Sequence, residues 1–259
     1  MASPPRLIVL GSGTSVPRAD RATSCYLVDP GDGRAVLVDL GPGSLHRAAA
    51  AGYDLDHLHG VLMTHIHPDH SADLAALDFA LRHPGPRAGL PPLPVWGHAA
   101  VTLLHARLRN AWPGWLGSGP ERLDMQMIGP GELEVPGFTK AEAFQICHAE
   151  SSLGYRLTLP NGFQVAFSGD ASEGAQLEEL GHQSDLFVLE AAAPHENPVR
   201  GHLSPERAAA VASSCQAKHL MLTHFYPEVL ADPVEPRVRT AFEGRLSLAQ
   251  DGMIIELVC

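Results

Sequence analysis

Short apolar runs rich in β-branched and aromatic residues recur along the chain, separated by turns rich in glycine and proline. Apolar runs bounded by such turn signals are typical of β-strands, and longer stretches with helical spacing follow several of them. The pattern predicts strands at Leu7–Leu10, Cys25–Val28, Ala35–Asp39, Gly60–Thr64, Phe144–His148, Tyr155–Leu159, Val165–Ser168, Leu186–Glu190, Leu220–Thr223 and Ile254–Val258. It predicts helices at Ser44–Ala51, Ala72–Arg82, Ala99–Asn110 and Pro205–Ser214.

The order of these elements indicates a layered fold. Strands cluster at the start of each half of the chain and helices follow them, which suits two sheets packed face to face with helices outside. We therefore predict one α/β domain of the layered α+β kind over residues 1–259. Glycines, prolines and two tryptophans fill Trp112–Gly137, which predicts a long surface loop that could act as a lid.

The charge and the cysteine content limit which partners the protein can bind and in which cellular compartment it is expected. The 259 residues carry a formal net charge of -11 and no run of Lys or Arg, whereas proteins that bind polyanions usually show a basic face. The four cysteines lack CxxC spacing, and no apolar stretch approaches the length of a membrane span. We expect a cytoplasmic location, no membrane partner, and nucleic acid as a possible but not favoured partner.

Ligand-type side chains are concentrated in the segment VLMTHIHPDH, where an apolar strand runs into four of them. Alternate residues at a strand end point the same way, so His65 and His67 can face one point. Asp69 and His70 follow a turn and can face a neighbouring point. Imidazole and carboxylate groups suit zinc, manganese or iron, so the spacing predicts a metal site rather than a surface histidine tract.

The segment HIHPDH resembles the HxHxDH signature of the metallo-β-lactamase superfamily. Later residues resemble the remaining ligands of that family: a histidine after FQIC, an aspartate in FSGDAS and a histidine in LMLTHF. The resemblance implies a four-layer αββα metallo-β-lactamase sandwich and a metal-dependent hydrolase. It implies one ion held by His65, His67 and His148 and a second held by Asp69, His70 and His224, with Asp170 shared between them.

Two divalent ions are therefore expected, with Zn²⁺ first and Mn²⁺ or Fe²⁺ as alternatives. Two cations roughly 3.5–4 Å apart can activate a water molecule and clamp substrate oxygens. The resemblance also implies that Asp69 steers the attacking water.

Further segments are similar to the ribonuclease Z and small-phosphodiesterase branch of the superfamily. They are LGSGTSVPRADRATSCYLV, GYRLTLPNGFQVAFSGD, LEAAAP and GHLSPERAAAVA. In that branch a histidine at the place of His202 donates a proton to the leaving oxygen, and a carboxylate at the place of Glu190 orients it. A structural hydrogen bond is the alternative interpretation of Glu190. Of the other candidates, His98 is expected to be a helix cap or a pocket wall rather than a ligand. Alternation with His148 predicts that Cys147 points into the core.

One departure from the branch bears on the substrate. Ribonuclease Z enzymes carry a long arm between the third metal histidine and the bridging aspartate, whereas here His148 and Asp170 leave room only for a β-hairpin. The short connection and the acidic charge favour a small or cyclic phosphodiester, or an RNA end, as the substrate. The protein is a possible homodimer. Alternatives are a hydrolase of lactones, thioesters or carboxyl esters, ribonuclease Z itself, or a binding protein without catalysis.

Overall fold

The computed structural model describes residues 4–117 and 122–258. Its strands are β1 (Arg6–Gly11), β2 (Cys25–Asp29), β3 (Ala35–Val38), β4 (Leu58–Leu62), β5 (Leu93–Gly97), β6 (Leu123–Met127), β7 (Gly131–Leu133), β8 (Lys140–Gln145), β9 (Leu153–Thr158), β10 (Gln164–Phe167), β11 (Leu186–Glu190), β12 (His219–Thr223), β13 (Arg245–Leu248) and β14 (Ile254–Glu256). Its α-helices are α1 (Ser44–Ala50), α2 (Pro68–Ser71), α3 (Asp73–Leu81), α4 (Ala99–Ala111), α5 (Ala175–Gly181), α6 (Pro205–Ser214) and α7 (Val234–Val238).

Two sheets form the centre of the molecule. Over the described residues each has seven strands, in the orders β14-β1-β2-β3-β4-β5-β6 and β13-β12-β11-β10-β9-β8-β7. One core cluster joins side chains of both sheets, such as Val36 and Leu62 with Tyr155 and Val188. Two further clusters lie between the sheets and the helices outside them. The predicted αββα layering is confirmed.

The central strands are buried on both faces, which explains why their sequences are almost entirely apolar. Every residue of β2, β3 and β11 is buried, because one face packs on the opposite sheet and the other packs on helices. The strands β3, β4 and β5 run parallel, as do β10, β11, β12 and β13. Parallel strands end at the same edge of a sheet, so polar residues that follow them are brought together.

The interpretation of Trp112–Gly137 as one long loop is wrong. The segment contains β6 and β7, each of which is the outermost strand at one end of its sheet. Neither strand is fully buried, because an edge strand has a neighbour on one side only, and this weakens the apolar alternation that marks a strand in sequence. Between α4 and β6, Trp115 packs on Phe79 of α3 with ring centroids 6.2 Å apart. Residues 118–121 lie outside the described residues.

One other boundary differs from the predictions. The strand β8 ends at Gln145, so His148 lies in the turn after the strand rather than at its last position. The helix predicted at Ala72–Arg82 is confirmed as α3, and the short helix α2, which was not predicted, precedes it from Pro68. Proline suits the first turn of a helix because it has no N–H to leave unpaired there. In the described part of the chain, no helix combines the length and apolar character that a membrane crossing needs.

Candidate metal centre

The loop after β4 carries the histidine-rich segment to the edge of the sandwich. The backbone N–H of Thr64 donates to Asp39 Oδ1 at 2.7 Å, which joins this loop to the end of the neighbouring strand β3. His65 is fully buried, and His67 is exposed at the point where the chain turns into α2. The single turn of α2 then directs Asp69 and His70 toward a second point, as the spacing predicted.

The first cluster of ligand atoms comes from both halves of the chain. His67 Nδ1 lies 3.0 Å from His65 Nε2 and 3.2 Å from His148 Nε2. Asp170 Oδ2 lies 3.6 Å from His65 Nε2 and 3.6 Å from His148 Nε2. The four ligand atoms lie within 4.8 Å of one another, a spacing that could hold a metal ion.

The second cluster lies on the other side of Asp170. His70 Nε2 and His224 Nε2 are each 3.2 Å from Asp170 Oδ1. Asp69 Oδ2 is 3.9 Å from both of these nitrogens. The two oxygens of Asp170 therefore face different clusters, which is the geometry expected of a carboxylate shared by two ions. The structure brings together all seven side chains that the resemblance implied as ligands.

The outer nitrogens of four ligand imidazoles are held by neighbouring groups. Nδ1 of His70 is 2.7 Å from Asp39 Oδ2, and Nδ1 of His148 is 2.8 Å from the carbonyl oxygen of Gly201. Nδ1 of His224 is 2.8 Å from Ser24 Oγ, and Nδ1 of His65 is 3.0 Å from Thr64 Oγ1. A proton on Nδ1 leaves the Nε2 lone pair directed into the cluster, as in metal sites where outer partners fix the tautomer.

Asp39 and Ser24 were not found by sequence reasoning. Asp39 accepts from Thr64 and lies against His70, and its backbone adopts a left-handed conformation with φ 65°. The one signal in the sequence was the placement of Asp39 at the end of an apolar strand. Ser24 gave no signal, because a serine in a loop is common.

The donor atoms fit a cation. Among the described residues, His70 Nε2 and Asp170 Oδ1 are buried and have no hydrogen-bond partner. Buried polar atoms without a partner are costly, and a metal ion between them would satisfy both. Neutral imidazoles with an ionised carboxylate are the ligands that divalent zinc, manganese and iron accept.

The protonation states suit ligands as well. Burial lowers the pKa of His224 to about 4 and lowers the pKa of His65 well below its usual range. Burial acts to raise the pKa of Asp170, but the charges of His224 and His70 outweigh it and lower that pKa well below its usual range. The carboxylate of Asp170 is therefore ionised at neutral pH, while His65 and His224 are neutral. His70 differs, because burial acts to lower its pKa but the charges of Asp170 and Asp39 outweigh burial and raise that pKa well above the usual range.

His202 and Glu190 form a hydrogen-bonded pair beside the two clusters. His202 Nδ1 is 2.8 Å from Glu190 Oε1, and its ring stacks on His224 with centroids 6.0 Å apart. Burial opposes protonation of His202, but the hydrogen bond and the charge of Glu190 raise the pKa of His202. Glu190 also accepts from the backbone N–H groups of Ala171 and Ala192, each at 2.9 Å. Glu190 thus makes both of the contacts that were considered, one that orients His202 and one that is a structural hydrogen bond to the backbone.

Tyr226 also lies at this site and was not singled out from the sequence. Its ring is edge-on to His202, with centroids 5.9 Å apart and planes at 83°, and lies 6.5 Å from the ring of His224. Burial raises the pKa of its phenol, and the charges of Asp170 and Asp69 raise it further. The only signal in the sequence was its position two residues after a predicted ligand.

Two predictions about neighbouring residues have different outcomes. His98 caps α4 by accepting from the backbone N–H of Ala100 at 3.3 Å, so the predicted cap is confirmed. Cys147 is exposed, so the prediction that it points into the core is wrong. The reason is that β8 ends at Gln145, and the alternation of a strand no longer applies at Cys147.

Comparisons with known proteins agree with this geometry. The model of the family described as "Beta-lactamase superfamily domain" matches residues 26–225. An uncharacterized protein of Mycobacterium leprae (strain TN) is 28% identical over 97% of this chain and 88% of its own length. A protein named ribonuclease Z, from Mycolicibacterium paratuberculosis (strain ATCC BAA-968 / K-10), is 28% identical over 94% of this chain and 95% of its own length.

A solved structure is similar along nearly the whole chain. The metallo-beta-lactamase fold protein YhfI from Bacillus subtilis has a TM-score of 0.84 and 25% identity, over 98% of this chain and 100% of that protein. The matched family is one of metal-dependent hydrolases, and the histidine and aspartate clusters could hold divalent metal. The chain belongs to the metallo-β-lactamase superfamily, and proteins named ribonuclease Z are among its relatives.

Proposed function

We propose that this hydrolase is a phosphodiesterase with two divalent metal ions, Zn²⁺ in the first instance, that acts on a small or cyclic phosphodiester or on an RNA end. The observation that carries the proposal is the hydrogen bond of 2.8 Å between His202 and Glu190, beside the ligand clusters. A hydroxyl or alkoxide that leaves from phosphorus needs a proton. A thioester hydrolase has less need of such an acid, because a thiolate is a good leaving group without a proton.

Each side chain then has a defined task. Bound divalent ions would supply Lewis-acid activation of a water molecule and neutralise charge on the phosphoryl oxygens. The carboxylate of Asp69, 3.9 Å from both His70 and His224, can accept a hydrogen bond from the attacking water and orient it. The imidazolium of His202 gives its Nε2 proton to the leaving oxygen, and Glu190 favours that protonated form.

Two features support a small substrate. Between His148 and Asp170 the chain forms the antiparallel hairpin of β9 and β10, which contributes to the sheet and adds no protruding arm. The net charge of -11 disfavours a long polyanion. Ribonuclease Z activity is the second candidate, because the relative with that name is similar over nearly its whole length. The possible homodimer stays a prediction, which a molar mass measured in solution would test.

A substrate screen separates the candidate reactions. The protein, reconstituted with Zn²⁺ or Mn²⁺, is offered phosphodiesters, phosphomonoesters, lactones and thioesters at matched concentrations. We expect turnover of small phosphodiesters to exceed that of the other classes. Preferential turnover of a lactone or thioester would overturn the proposal.

Replacing His202 tests the proton donor. His202→Ala should keep the metal content of the wild type and lose about 10²–10⁴-fold in phosphodiesterase rate, the usual contribution of a general acid. The loss should be smaller on a nitrophenyl diester, whose leaving group needs no proton. His195→Ala is the matched control, because His195 lies in the same connection between β11 and α6 and its side chain is 56% exposed. Equal losses on both diesters would contradict proton donation by His202.

A further inference from the structure

The chain makes a sharp turn after β12, and this turn places Tyr226 at the metal centre. His224 adopts a left-handed backbone conformation with φ 58°, which redirects the chain immediately after the strand. Phe225 is then fully buried in the core cluster outside the second sheet, and Tyr226 is half-buried and packs against the same cluster. The backbone N–H of Tyr226 donates to the carbonyl oxygen of Ala192, close to Glu190, at 3.4 Å.

The ring of Tyr226 lies beside the proposed acid and beside a ligand of the second cluster. Its centroid is 5.9 Å from that of His202, with the two planes at 83°, and 6.5 Å from that of His224. Two imidazoles of the site therefore flank the ring. Because the ring is only half-buried, it is open to a molecule bound beside His202.

The chemistry of the site supplies a reason for a neutral donor at this place. Negative charge grows on the phosphoryl oxygens as a phosphodiester is attacked, and fixed donors aimed at that charge lower the barrier. A phenol keeps its proton at neutral pH and donates without changing its own charge. His202 gives its proton away during the reaction, whereas a phenol beside it can hold the oxygen throughout.

We propose that the Tyr226 hydroxyl contacts the substrate and donates a hydrogen bond to a phosphoryl oxygen on the side of the metal centre where His202 stands. The inference rests on the proposed phosphodiesterase function. Tyr226 would be a third catalytic side chain, in addition to Asp69 and His202. Unlike Asp69 it holds no metal, and unlike His202 it transfers no proton. Donation to a charged oxygen distinguishes this role from simple packing of the ring, because packing requires the ring and not its hydroxyl.

The variant Tyr226→Phe removes the donor and keeps the ring. With metal-loaded protein and bis(p-nitrophenyl) phosphate, we expect kcat/KM to fall about 10²-fold, the effect of losing one preorganised donor. Inorganic phosphate, used as a competitive inhibitor, should bind about tenfold more weakly, because one hydrogen bond to a charged oxygen is lost. Metal content and thermal stability should equal those of the wild type. Trp115→Phe is the control, because Trp115 is 61% exposed and packs on α3, away from the ligand clusters.

The outcomes separate this inference from the function on which it rests. If the wild type hydrolyses the diester and Tyr226→Phe matches it in kcat/KM and in phosphate inhibition, the inference is overturned and the phosphodiesterase function stands. A Tyr226→Phe variant that loses metal or stability in proportion to its activity also overturns the inference, in favour of a structural role. If the wild type hydrolyses no phosphodiester but does hydrolyse another ester, the proposed function fails and the inference fails with it.

Discussion

Among single residues, Asp170 has the most demanding position. Its two oxygens face different groups of imidazoles at 3.2 to 3.6 Å, and Oδ1 has no hydrogen-bond partner in the described part of the chain. A buried carboxylate in such a place is stable only if positive charge surrounds it. Burial keeps His65 and His224 neutral, whereas at His70 burial is outweighed by the charges of Asp170 and Asp39, which raise the pKa of His70 well above its usual range. His70 therefore supplies part of the positive charge, and cations bound in the two clusters would supply the rest.

Removal of Asp170 should therefore release metal. We expect Asp170→Ala to lose most of one ion and to weaken the other, because one ligand disappears from both clusters. Elemental analysis of purified protein gives the count, with about two ions per chain expected in the wild type. Asp124→Ala, an exposed aspartate of β6, should keep the wild-type content. Unchanged stoichiometry in Asp170→Ala would show that Asp170 does not bridge two ions.

His219, at the end of β12 opposite His224, links the protonation of a side chain to the stability of the fold. Burial lowers the pKa of His219 to about 4, and Arg245 acts in the same direction. In the unfolded chain a histidine titrates near pH ~6.5, so as pH falls below this value the unfolded state gains a proton that the folded state refuses. The contribution of His219 to stability is present above pH ~6.5 and is lost as pH falls toward about 4.

His219→Gln should remove this dependence and keep a polar group near Ser247, which lies 2.9 Å from His219 Nε2. Between pH ~7.5 and ~5, the unfolding free energy of the variant should fall by up to about 2 kcal/mol less than that of the wild type. Urea unfolding at both pH values measures the difference, and comparison of variants cancels the shared titration of the metal ligands. An identical pH dependence in both proteins would contradict the role of His219.

Prediction from the sequence was most successful where a local motif marked the residues. The spacing of HIHPDH at the end of an apolar run indicated a metal site, and the resemblance to the metallo-β-lactamase superfamily implied the three later ligands. Asp39, Ser24 and Tyr226 were not found, because their roles depend on contacts between distant parts of the chain. No local pattern distinguishes such contacts from those of an ordinary loop residue.

At the scale of elements, the loop between β1 and β2 is held by a residue from the far end of the chain. Asp251 Oδ1 accepts from the backbone N–H and the hydroxyl of Ser12 at 2.9 and 2.8 Å, and its Oδ2 accepts from the N–H of Ala22 at 2.6 Å. The carbonyl oxygen of Ser12 in turn accepts from the N–H of His224 at 3.0 Å. The loop thus supports the backbone of His224, which lies in the second cluster.

Asp251→Asn should loosen that support, because an amide cannot accept at both of its terminal atoms. We expect the free energy of unfolding to drop by about 2 kcal/mol, the cost of leaving a buried donor without a partner. Metal affinity should fall as well, because His224 loses a fixed backbone contact. Chemical denaturation and metal titration measure the two effects. The exposed Asp232→Asn is the control, and equal behaviour of the two variants would refute the support role.

The elements themselves were predicted unevenly, for a physical reason. Strands buried on both faces, such as β2 and β11, are apolar throughout and were located well. The edge strands β6 and β7 were taken for a loop because half-exposed strands carry charged and polar residues. The end of β8 was misplaced by three residues for a similar reason, because a strand and the turn after it can share apolar residues.

At the scale of the whole molecule, charge and shape bear on substrate size. Binding of long RNA draws on many Lys and Arg contacts with phosphates, and each contact adds to salt sensitivity. The net charge is -11, and the hairpin of β9 and β10 occupies the place where an arm would extend. These features favour a substrate whose contacts are confined to the metal centre.

We accordingly expect small phosphodiesters to be turned over while pre-tRNA binds weakly and with strong dependence on salt. Rates on cyclic nucleotides, on a nitrophenyl diester and on a pre-tRNA with a 3′ trailer, compared at physiological ionic strength, provide the measurement. Efficient and accurate removal of the trailer, with negligible activity on small diesters, would contradict the proposal that the substrate is small and would favour ribonuclease Z activity.

The division of the ligands between the two sheets has a consequence for synthesis of the protein. The first sheet supplies four of the ligands within residues 65–70, and the others follow strands of the second sheet, the last of them at His224. The strand β14, later still in the chain, pairs with β1 in the first sheet. Neither cluster of ligand atoms is therefore complete in a nascent chain until most of its length has emerged, and early exposure to metal would meet only a partial site. Metal uptake should be a late step of maturation that marks chains whose two halves have already docked.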